Sequence, residues 1–203
     1  MFKYLFSKKI LVIIFFCILI CRNAFAENNL VIELGGEASG KIEITLLPDL
    51  APLHVERIKT LVNSGAYNGV VFHRVIEGFM AQTGDVQFGK TQAFNPELVG
   101  RGGSSLPDLP SEFSDMAFVE GTVGMARSND PDSANSQFFI MFQPAPHLDN
   151  NYTVFGKVSS GMEVLSKIKK GDLKRNGAVD NPDFMKKVYP VSYTHLTLPT
   201  TVF

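Results

Sequence analysis

Residues 72–85 read FHRVIEGFMAQTGD and place one cation, Arg74, and one amide, Gln82, among large apolar side chains. Side chains alternate between the two faces of a strand, so Arg74 is expected to share a face with Phe72, opposite to His73. One face of this stretch can then hold a guanidinium over an apolar floor. Taken alone, the stretch favours a surface or ion-pairing arginine whose apolar neighbours simply form core.

Short apolar runs continue on both sides of this stretch and are separated by Gly, Pro, Asn and Asp. Residues 30–47 alternate apolar and polar side chains around Gly35-Gly36 and Ser39-Gly40, a pattern that predicts a β-hairpin. Many short strands with few helices favour a mainly β fold closed into an antiparallel barrel, because closure removes exposed strand edges. Further strands are predicted at residues 70–75, 78–82, 123–126, 137–142 and 152–158.

Two α-helices are predicted from apolar spacing. The first begins near Pro52, which suits an opening turn, and stops before Gly65; the second covers residues 162–170. Residues 88–109 are rich in Gly, Ser and Pro and are expected to run over the surface. Neither a repeat nor a linker divides the chain, so one domain, residues 27–189, is predicted. The apolar face of the first helix comprises Val55, Ile58, Leu61 and Val62.

The N-terminus has the pattern of a secretory signal peptide over residues 1–26. Three lysines precede an apolar run at residues 10–20, and Ala24-Phe25-Ala26 forms a small-x-small cleavage site, so the mature chain is expected to begin at Glu27. The run is shorter than the roughly 20 apolar residues of a spanning helix, which disfavours the alternative of an uncleaved membrane anchor. Export, most simply to the periplasm, is therefore predicted. Both cysteines of the chain would leave with the signal.

The last residues call for a separate interpretation. Residues 191–200 read VSYTHLTLPT, which resembles the translation of a sequencing-library adapter. Residues 190–203 are therefore predicted to be a non-native tail, with a genuine β-prone terminal strand as the alternative.

Charge and residue inventory exclude several function classes. The chain has 19 basic and 20 acidic side chains, and four of the basic ones precede Glu27, so the mature domain is net acidic and lacks the basic footprint of a nucleic-acid or lipid binder. The four histidines show no metal-ligand spacing, and neither a nucleophile elbow nor a phosphate-binding glycine loop is present. Neither a metal nor another cofactor is expected.

Three motifs in the same order resemble the cyclophilin family of peptidyl-prolyl cis/trans isomerases. They are residues 72–85, residues 133–140 (SANSQFFI) and residues 152–158 (YTVFGKV), and the similarity extends from about residue 30 to about residue 182. The resemblance implies an eight-stranded antiparallel barrel capped by two α-helices. It also implies an enzyme that accelerates rotation of X-Pro peptide bonds, in this case in exported proteins.

The resemblance also assigns roles to individual positions. Arg74 matches the catalytic arginine of the family, and Gln82 matches the glutamine beside it. The proline pocket would be formed by Phe79, Met80, Phe139 and Leu148. Other matched groove positions are Ala126, Gln137 and Tyr152, whereas core or rim positions are Phe72, Phe138, Val154 and Phe155.

Three positions depart from the common family pattern. His147 stands where many members have tryptophan, Tyr152 where many have histidine, and Arg127 where many have asparagine. These departures bear on ligand preference more than on catalysis, and binding of a cyclosporin-type ligand is expected to be weak. A monomer acting on proline-containing unfolded or partly folded proteins is expected. The alternative is a binding module that grips proline segments as a chaperone, and an intact Arg74 disfavours it.

Overall fold

The computed structural model describes residues 28–191, which form nine strands and two α-helices. The helices are α1 (Pro52–Asn63) and α2 (Met162–Leu165). Short 3₁₀ turns lie at Thr91–Ala93, Pro146–Leu148 and Leu173–Arg175. The strands are β1 (Asn29–Gly35), β2 (Gly40–Leu46), β3 (Val70–Val71), β4 (Arg74–Ile76), β5 (Met80–Thr83), β6 (Thr122–Met125), β7 (Phe138–Met141), β8 (Val154–Ser160) and β9 (Phe184–Pro190).

The strands form one sheet in the order β3-β9-β1-β2-β8-β6-β7-β5-β4, and every neighbouring pair is antiparallel. The two terminal strands of this order, β3 and β4, are separated along the chain by only Phe72 and His73. The sheet therefore curls back on itself. Its two edge strands, β3 and β4, are the two halves of one interrupted strand. The mainly β, barrel-like fold with two helices is confirmed. The structure has nine strands in place of the expected eight because the strand that crosses residues 70–76 is interrupted.

The break at Phe72 and His73 makes the simple alternation expected for this segment wrong. Phe72 donates its amide to the Asp183 carbonyl at 2.8 Å, while Val75 donates to the Gly177 carbonyl at 2.8 Å. Because the backbone changes partners between these residues, the two-residue period is lost. Phe72 packs into the same buried cluster as Val75, so it does not share the face of Arg74.

Residues 28–191 form two apolar clusters. The larger cluster lies inside the barrel, where α1 contributes its predicted apolar face and Phe72, Phe138 and Phe155 lie among the strand residues. The smaller cluster surrounds Phe139 and includes Val154. On β7, successive residues Phe138 and Phe139 therefore serve different clusters, as the alternation of a strand requires.

The second helix is shorter than predicted. Regular helix ends at Leu165, and Ile168 then donates its amide to the Leu165 carbonyl in a tighter turn. The buried carboxylate of Asp183 accepts the Lys169 amide at 2.8 Å. This distant acceptor satisfies an amide that would otherwise continue the helix, so the periodic pattern through residue 170 does not form one.

The long excursion after β5 consists of turns, a 3₁₀ turn and isolated bridges, as expected for a surface segment, and a buried carboxylate anchors it. Asp85, which is fully buried, accepts the backbone amides of Gln87, Phe88, Gly100 and Gly102 at 2.8–3.1 Å. Four amide donors compensate the desolvation of this charge. They also fix the position of residues 100–102 beside the sheet.

The predicted chain ends lie mostly beyond the described residues. The expected signal segment, residues 1–26, and residues 192–203 of the expected tail are outside residues 28–191. Within that range, β9 runs through Pro190 and the Val191 amide donates to the Asn29 carbonyl at 2.8 Å. In the same part of the chain, none of the helices has the length and apolar character needed to span a bilayer.

Candidate active site

Arg74 and Gln82 face each other across the β4–β5 hairpin. They are register partners in the antiparallel pair, so their side chains project from the same face. Gly78 forms the intervening turn with φ +70°, a left-handed conformation that suits glycine. Arg74 Nη1 donates to Gln82 Oε1 at 3.1 Å, and this contact joins the two side chains.

Asn176 holds the other side of the Arg74 guanidinium. Arg74 Nε donates to the Asn176 carbonyl at 3.0 Å, and Arg74 Nη2 donates to Asn176 Oδ1 at 3.1 Å. A weaker contact joins Arg74 Nη1 to the sulfur of Met80 at 3.8 Å. A guanidinium has five N–H donors, so four are engaged and one on Nη2 has no partner within residues 28–191. The half-buried cation is thus fixed in place with one donor still available.

Partial burial of the Arg74 side chain also affects its pKa. Burial lowers the pKa of Arg74, with the neighbouring Tyr152 opposing this effect. The ordinary value of arginine lies so far above neutrality that the side chain remains a cation at physiological pH. In a partly dry groove, such a charge interacts more strongly with a ligand than it would in water.

A chain of amides continues from Gln82 along the groove. Gln82 Nε2 donates to Gln137 Oε1 at 3.0 Å, and Gln137 Nε2 donates to the Gly102 carbonyl at 2.8 Å. Gly102 belongs to the loop segment that Asp85 anchors. The buried carboxylate therefore supports the end of a hydrogen-bond chain that begins at Arg74.

Beside Arg74 lies a cavity of about 320 Å³ with an apolar wall. Phe139 is buried between Phe118, stacked on it at 5.7 Å between ring centroids, and the edge of Tyr152, also at 5.7 Å. A ring held on both sides keeps its orientation and makes a firm wall for an apolar ligand group. The lining residues are Arg74, Phe79, Met80, Gln82, Ala126, Arg127, Phe139, His147, Leu148 and Tyr152.

His147 and Arg127 both line the cavity beside Arg74. The His147 ring stacks on Phe79 with centroids 5.7 Å apart and remains exposed. The Arg127 guanidinium lies 4.4 Å from the centre of the Tyr152 ring. Together with Tyr152, all three departures from the common pattern thus border the cavity that a ligand would enter.

The structure brings together all nine residues singled out from the sequence. Eight line the cavity beside Arg74, and Gln137 lines a contiguous cavity of about 530 Å³ that shares Gln82, Ala126 and Arg127 with the first. Among residues 28–191, no three His, Cys, Asp or Glu side chains are arranged to hold a metal ion. The arrangement can bind an apolar ring and direct a fixed N–H donor at an atom beside it.

Sequence reasoning missed Asn176, although it contacts Arg74 twice. The available signal was Asn176-Gly177, a dipeptide typical of tight turns, which predicts a turn and not a contact with Arg74. Asn176 has φ +54° and Gly177 has φ +80°. These successive left-handed residues bring the turn close to β4, where Val75 donates to the Gly177 carbonyl.

Comparison with known proteins adds family resemblance to this geometry. The family model described as cyclophilin type peptidyl-prolyl cis-trans isomerase/CLD matches residues 30–189. The probable peptidyl-prolyl cis-trans isomerase of Brucella suis is 60% identical over 158 residues, which cover 77% of this chain and 79% of that protein. Peptidyl-prolyl cis-trans isomerase A of Dickeya dadantii is 38% identical over 164 residues, covering 78% of this chain and 81% of that protein.

Solved structures show the same architecture. The crystal structure of a cyclophilin from Hirschia baltica aligns with a TM-score of 0.68 at 26% identity, covering 84% of this chain and 76% of that chain. A Cryptosporidium parvum cyclophilin type isomerase, crystallised in the presence of the dipeptide Ala-Pro, aligns with a TM-score of 0.67 at 26% identity. That alignment covers 81% of this chain and 99% of the other.

Proposed function

The chain belongs to the cyclophilin-type peptidyl-prolyl cis-trans isomerases, and from this premise we propose that it accelerates rotation of X-Pro bonds in exported proteins while they fold. The observation that carries the assignment of the site is the Arg74 guanidinium, which Gln82 and Asn176 hold at the edge of an apolar cavity. One of its N–H groups has no partner among residues 28–191. Its position suits a donor that acts beside a bound proline ring.

The energetic task is well defined. Rotation about a peptide bond faces a barrier of roughly 18–20 kcal/mol, because the nitrogen lone pair is delocalised into the carbonyl. Uncatalysed prolyl exchange takes about 10–100 s, so turnover near 10³ s⁻¹ requires removal of about 5–7 kcal/mol. Neither a proton transfer nor a covalent intermediate is needed for this reaction.

Arg74 meets this task by differential binding. In the twisted transition state the prolyl nitrogen becomes pyramidal and its lone pair can accept a hydrogen bond, which the planar ground state cannot do. A guanidinium fixed beside that nitrogen binds the transition state more strongly than the substrate, and such a difference lowers the barrier. The anchors at Gln82 and Asn176 remove the need to reorient the donor during the reaction.

The apolar wall supplies the second part of the mechanism. Phe79, Met80, Phe139 and Leu148 would hold the proline ring while the preceding carbonyl swings. With one side of the bond immobilised, rotation of the other side becomes the productive motion. The shallow and partly open groove suits segments of unfolded or partly folded chains better than a compact surface.

A prolyl-peptide isomerisation assay tests this function, and a refolding assay limited by a proline bond tests its relevance to protein folding. We expect both reactions to accelerate in proportion to enzyme concentration. Binding of proline peptides without any acceleration would instead identify a proline-segment chaperone. The catalytic role of the groove would then be wrong.

Export is proposed from the N-terminal pattern of residues 1–26, and a monomer is proposed because one chain supplies the residues that line both cavities. Intact-mass analysis of protein recovered from the expressing cell should give a product beginning at Glu27. Retention of residues 1–26 would contradict export by cleavage.

Light scattering should give the mass of a monomer. Resequencing from independent genomic DNA should give a different sequence after about Pro190.

A further inference from the structure

We propose that Arg127 makes the groove select proline segments that carry an acidic side chain within about three residues of the proline. The inference rests on the proposed function, because it concerns which X-Pro substrates the same groove prefers. Arg127 lines both the cavity beside Arg74 and the contiguous cavity beyond it. A chain whose proline occupies the first cavity must pass this side chain to reach the second.

The Arg127 guanidinium is fixed in place. Its Nη2 donates to the Asn151 carbonyl at 2.8 Å and its Nη1 to the Ser128 carbonyl at 2.9 Å, while its plane lies over the Tyr152 ring. Further donation from Nε to Asn151 and from Nη1 to Asn129 leaves one Nη2 hydrogen without a partner within the described chain. Because this side chain is already ordered, a ligand that binds it pays little additional rotamer entropy.

Within residues 28–191, no acidic side chain neutralises the charge of Arg127. None of the ion pairs formed by residues 28–191 involves Arg127 or Arg74. Arg101 lines the second cavity and is the third arginine of the two cavities together, whereas Asp108 is the single carboxylate among the residues that line them. The Asp108 carboxylate accepts from Asn135 Nδ2 at 2.8 Å. The groove is therefore positive although the whole chain has a formal charge of −1.

Carbonyl oxygens and an aromatic face order Arg127 without cancelling its charge. A substrate carboxylate would supply the missing counter-charge and accept the remaining Nη2 hydrogen in a charge-assisted bond. Successive Cα atoms are about 3.8 Å apart, so residues next to the proline or a few positions away fall within the two cavities. Lysine in the same positions would face three guanidinium groups and should be disfavoured.

The experiment uses amidated peptides that contain one proline and differ at a single neighbouring position. Glu, the isosteric neutral Gln, and Lys are placed one or two residues before the proline, and one residue after it. At low ionic strength, we expect kcat/KM for the best Glu peptide to exceed that of its Gln partner by about two- to fivefold, the range of a partly exposed ion pair. The ratio should approach one near 1 M salt, where the screening length is about 3 Å.

Three variants test whether Arg127 causes the preference for Glu peptides over Gln peptides. Arg127→Gln should reduce the Glu-to-Gln ratio to about one, and Arg127→Glu should invert it in favour of Lys. Lys157→Gln removes the same charge from an exposed position of β8 that lines neither cavity, and it should preserve the ratio of the parent. Because each ratio is taken within one variant, a general change in activity does not affect the comparison.

Two results would overturn the inference. One is equal rates for Glu and Gln peptides at every position in the parent, and the other is a preference that persists in Arg127→Gln. If the parent isomerises none of the peptides, the proposed function fails, and the inference is then judged by the ratio of dissociation constants for the same peptides. Equal binding of Glu and Gln peptides would reject it in that case too.

Discussion

Arg74 Nη2 lies 3.1 Å from Asn176 Oδ1, and Arg74 Nε lies 3.0 Å from the carbonyl oxygen of the same asparagine. One residue therefore accepts from two nitrogens along one edge of the guanidinium, while Gln82 accepts from the third nitrogen. Asn176 also has the left-handed backbone that asparagine tolerates better than most residues. Its side chain and its backbone are thus both adapted to hold Arg74.

We expect Asn176→Gly to lower kcat/KM by about three- to tenfold, mainly through kcat. Glycine keeps the φ of +54° without strain and preserves the carbonyl acceptor, so only the Oδ1 contact is lost. Asn176→Asp retains an oxygen acceptor and should keep activity within about twofold of the parent. Steady-state kinetics with one prolyl peptide measures both variants.

A structural role for Asn176 would give a different result. If the residue served only to form its turn, Asn176→Ala, which strains the left-handed backbone by roughly 1 kcal/mol, would be the more damaging change. Positioning of Arg74 predicts that glycine and alanine variants lose similar activity while only alanine loses thermal stability. Full activity of Asn176→Gly would reject the positioning role.

Arg74→Ala should reduce kcat/KM by about 10²–10³-fold, the range observed when one transition-state donor is removed. Arg74→Lys should recover little, because a flexible ammonium cannot engage Gln82 and Asn176 while directing a further donor at the substrate. The affinity for a proline peptide should change far less than kcat. The measurement combines kinetics with peptide binding by calorimetry.

Melting temperature is the control for the Arg74 variants. Because Arg74 is half-buried and forms no ion pair within residues 28–191, its removal should leave the fold intact. Loss of activity that tracks unfolding, or full activity in Arg74→Ala, would mean that the catalytic role is assigned to the wrong residue.

Phe139→Leu should weaken peptide binding and turnover together, because this ring forms the cavity wall throughout the reaction. The matched control is Phe138→Leu, the same change on the opposite face of β7 in the larger cluster. Both variants should lose about 1–3 kcal/mol of unfolding free energy, measured by urea titration. Only Phe139→Leu should raise KM and lower kcat in the folded protein, and equal activity of the two variants would reject the pocket.

Local sequence patterns were sufficient for the mainly β fold and for α1, whereas the residues that line the cavity were predicted from the resemblance of three motifs to a known family. The interactions that complete the site connect distant parts of the chain and leave no such pattern. Arg74 and Asn176 are 102 positions apart. Likewise, α2 ends at Leu165, and the Lys169 amide binds Asp183 instead of continuing the helix. The spacing of apolar residues along the sequence indicates which face of a helix or strand is buried. These hydrogen bonds depend instead on which distant loop lies next to that helix or strand in the folded protein.

The break between β3 and β4 shows the same limit on a shorter scale. The alternation of side chains fails at Phe72 and His73 because the backbone amides on the two sides of the break bind different acceptors, within residues 177–183. Those partners lie about a hundred residues downstream. Arg74 is half-buried between the buried residues His73 and Val75. Its lower burial could still be predicted, since a cation is a costly side chain to bury.

His147→Trp should tighten binding of a cyclosporin-type ligand by at least tenfold. His147 is exposed and stacks on Phe79 at the rim, so a larger ring at this position can extend the contact surface without repacking the core. An indole also adds an N–H donor and a flat apolar face. Inhibition titrations of the parent and the variant measure the effect, and equal inhibition constants would show that this position does not govern the ligand.

The buried side chain of His73 should make stability depend on pH. It lies between β3 and β4, with its ring against Gly100, and neither ring nitrogen has a hydrogen-bond partner within residues 28–191. Burial lowers the pKa of His73 to about 4, and the nearby Asp85 carboxylate offsets only part of this effect, while the positive charge of Arg74 adds to it. His54 contributes in the same direction, because burial lowers its pKa despite the Glu112 partner.

Between about pH 6.5, the ordinary histidine value, and pH 4, the unfolded chain binds a proton at His73 that the folded chain does not. The contribution of this residue to stability is therefore complete above pH 6.5 and is lost as the pH falls to 4, a total of about 3 kcal/mol. Urea unfolding of the parent and of His73→Gln at intervals across this range should show a shallower pH dependence in the variant, even if its stability at pH 7.5 is lower. NMR titration of the His73 ring gives the folded pKa directly. A ring that titrates near 6.5 in the folded protein, or identical pH slopes for parent and variant, would contradict the prediction.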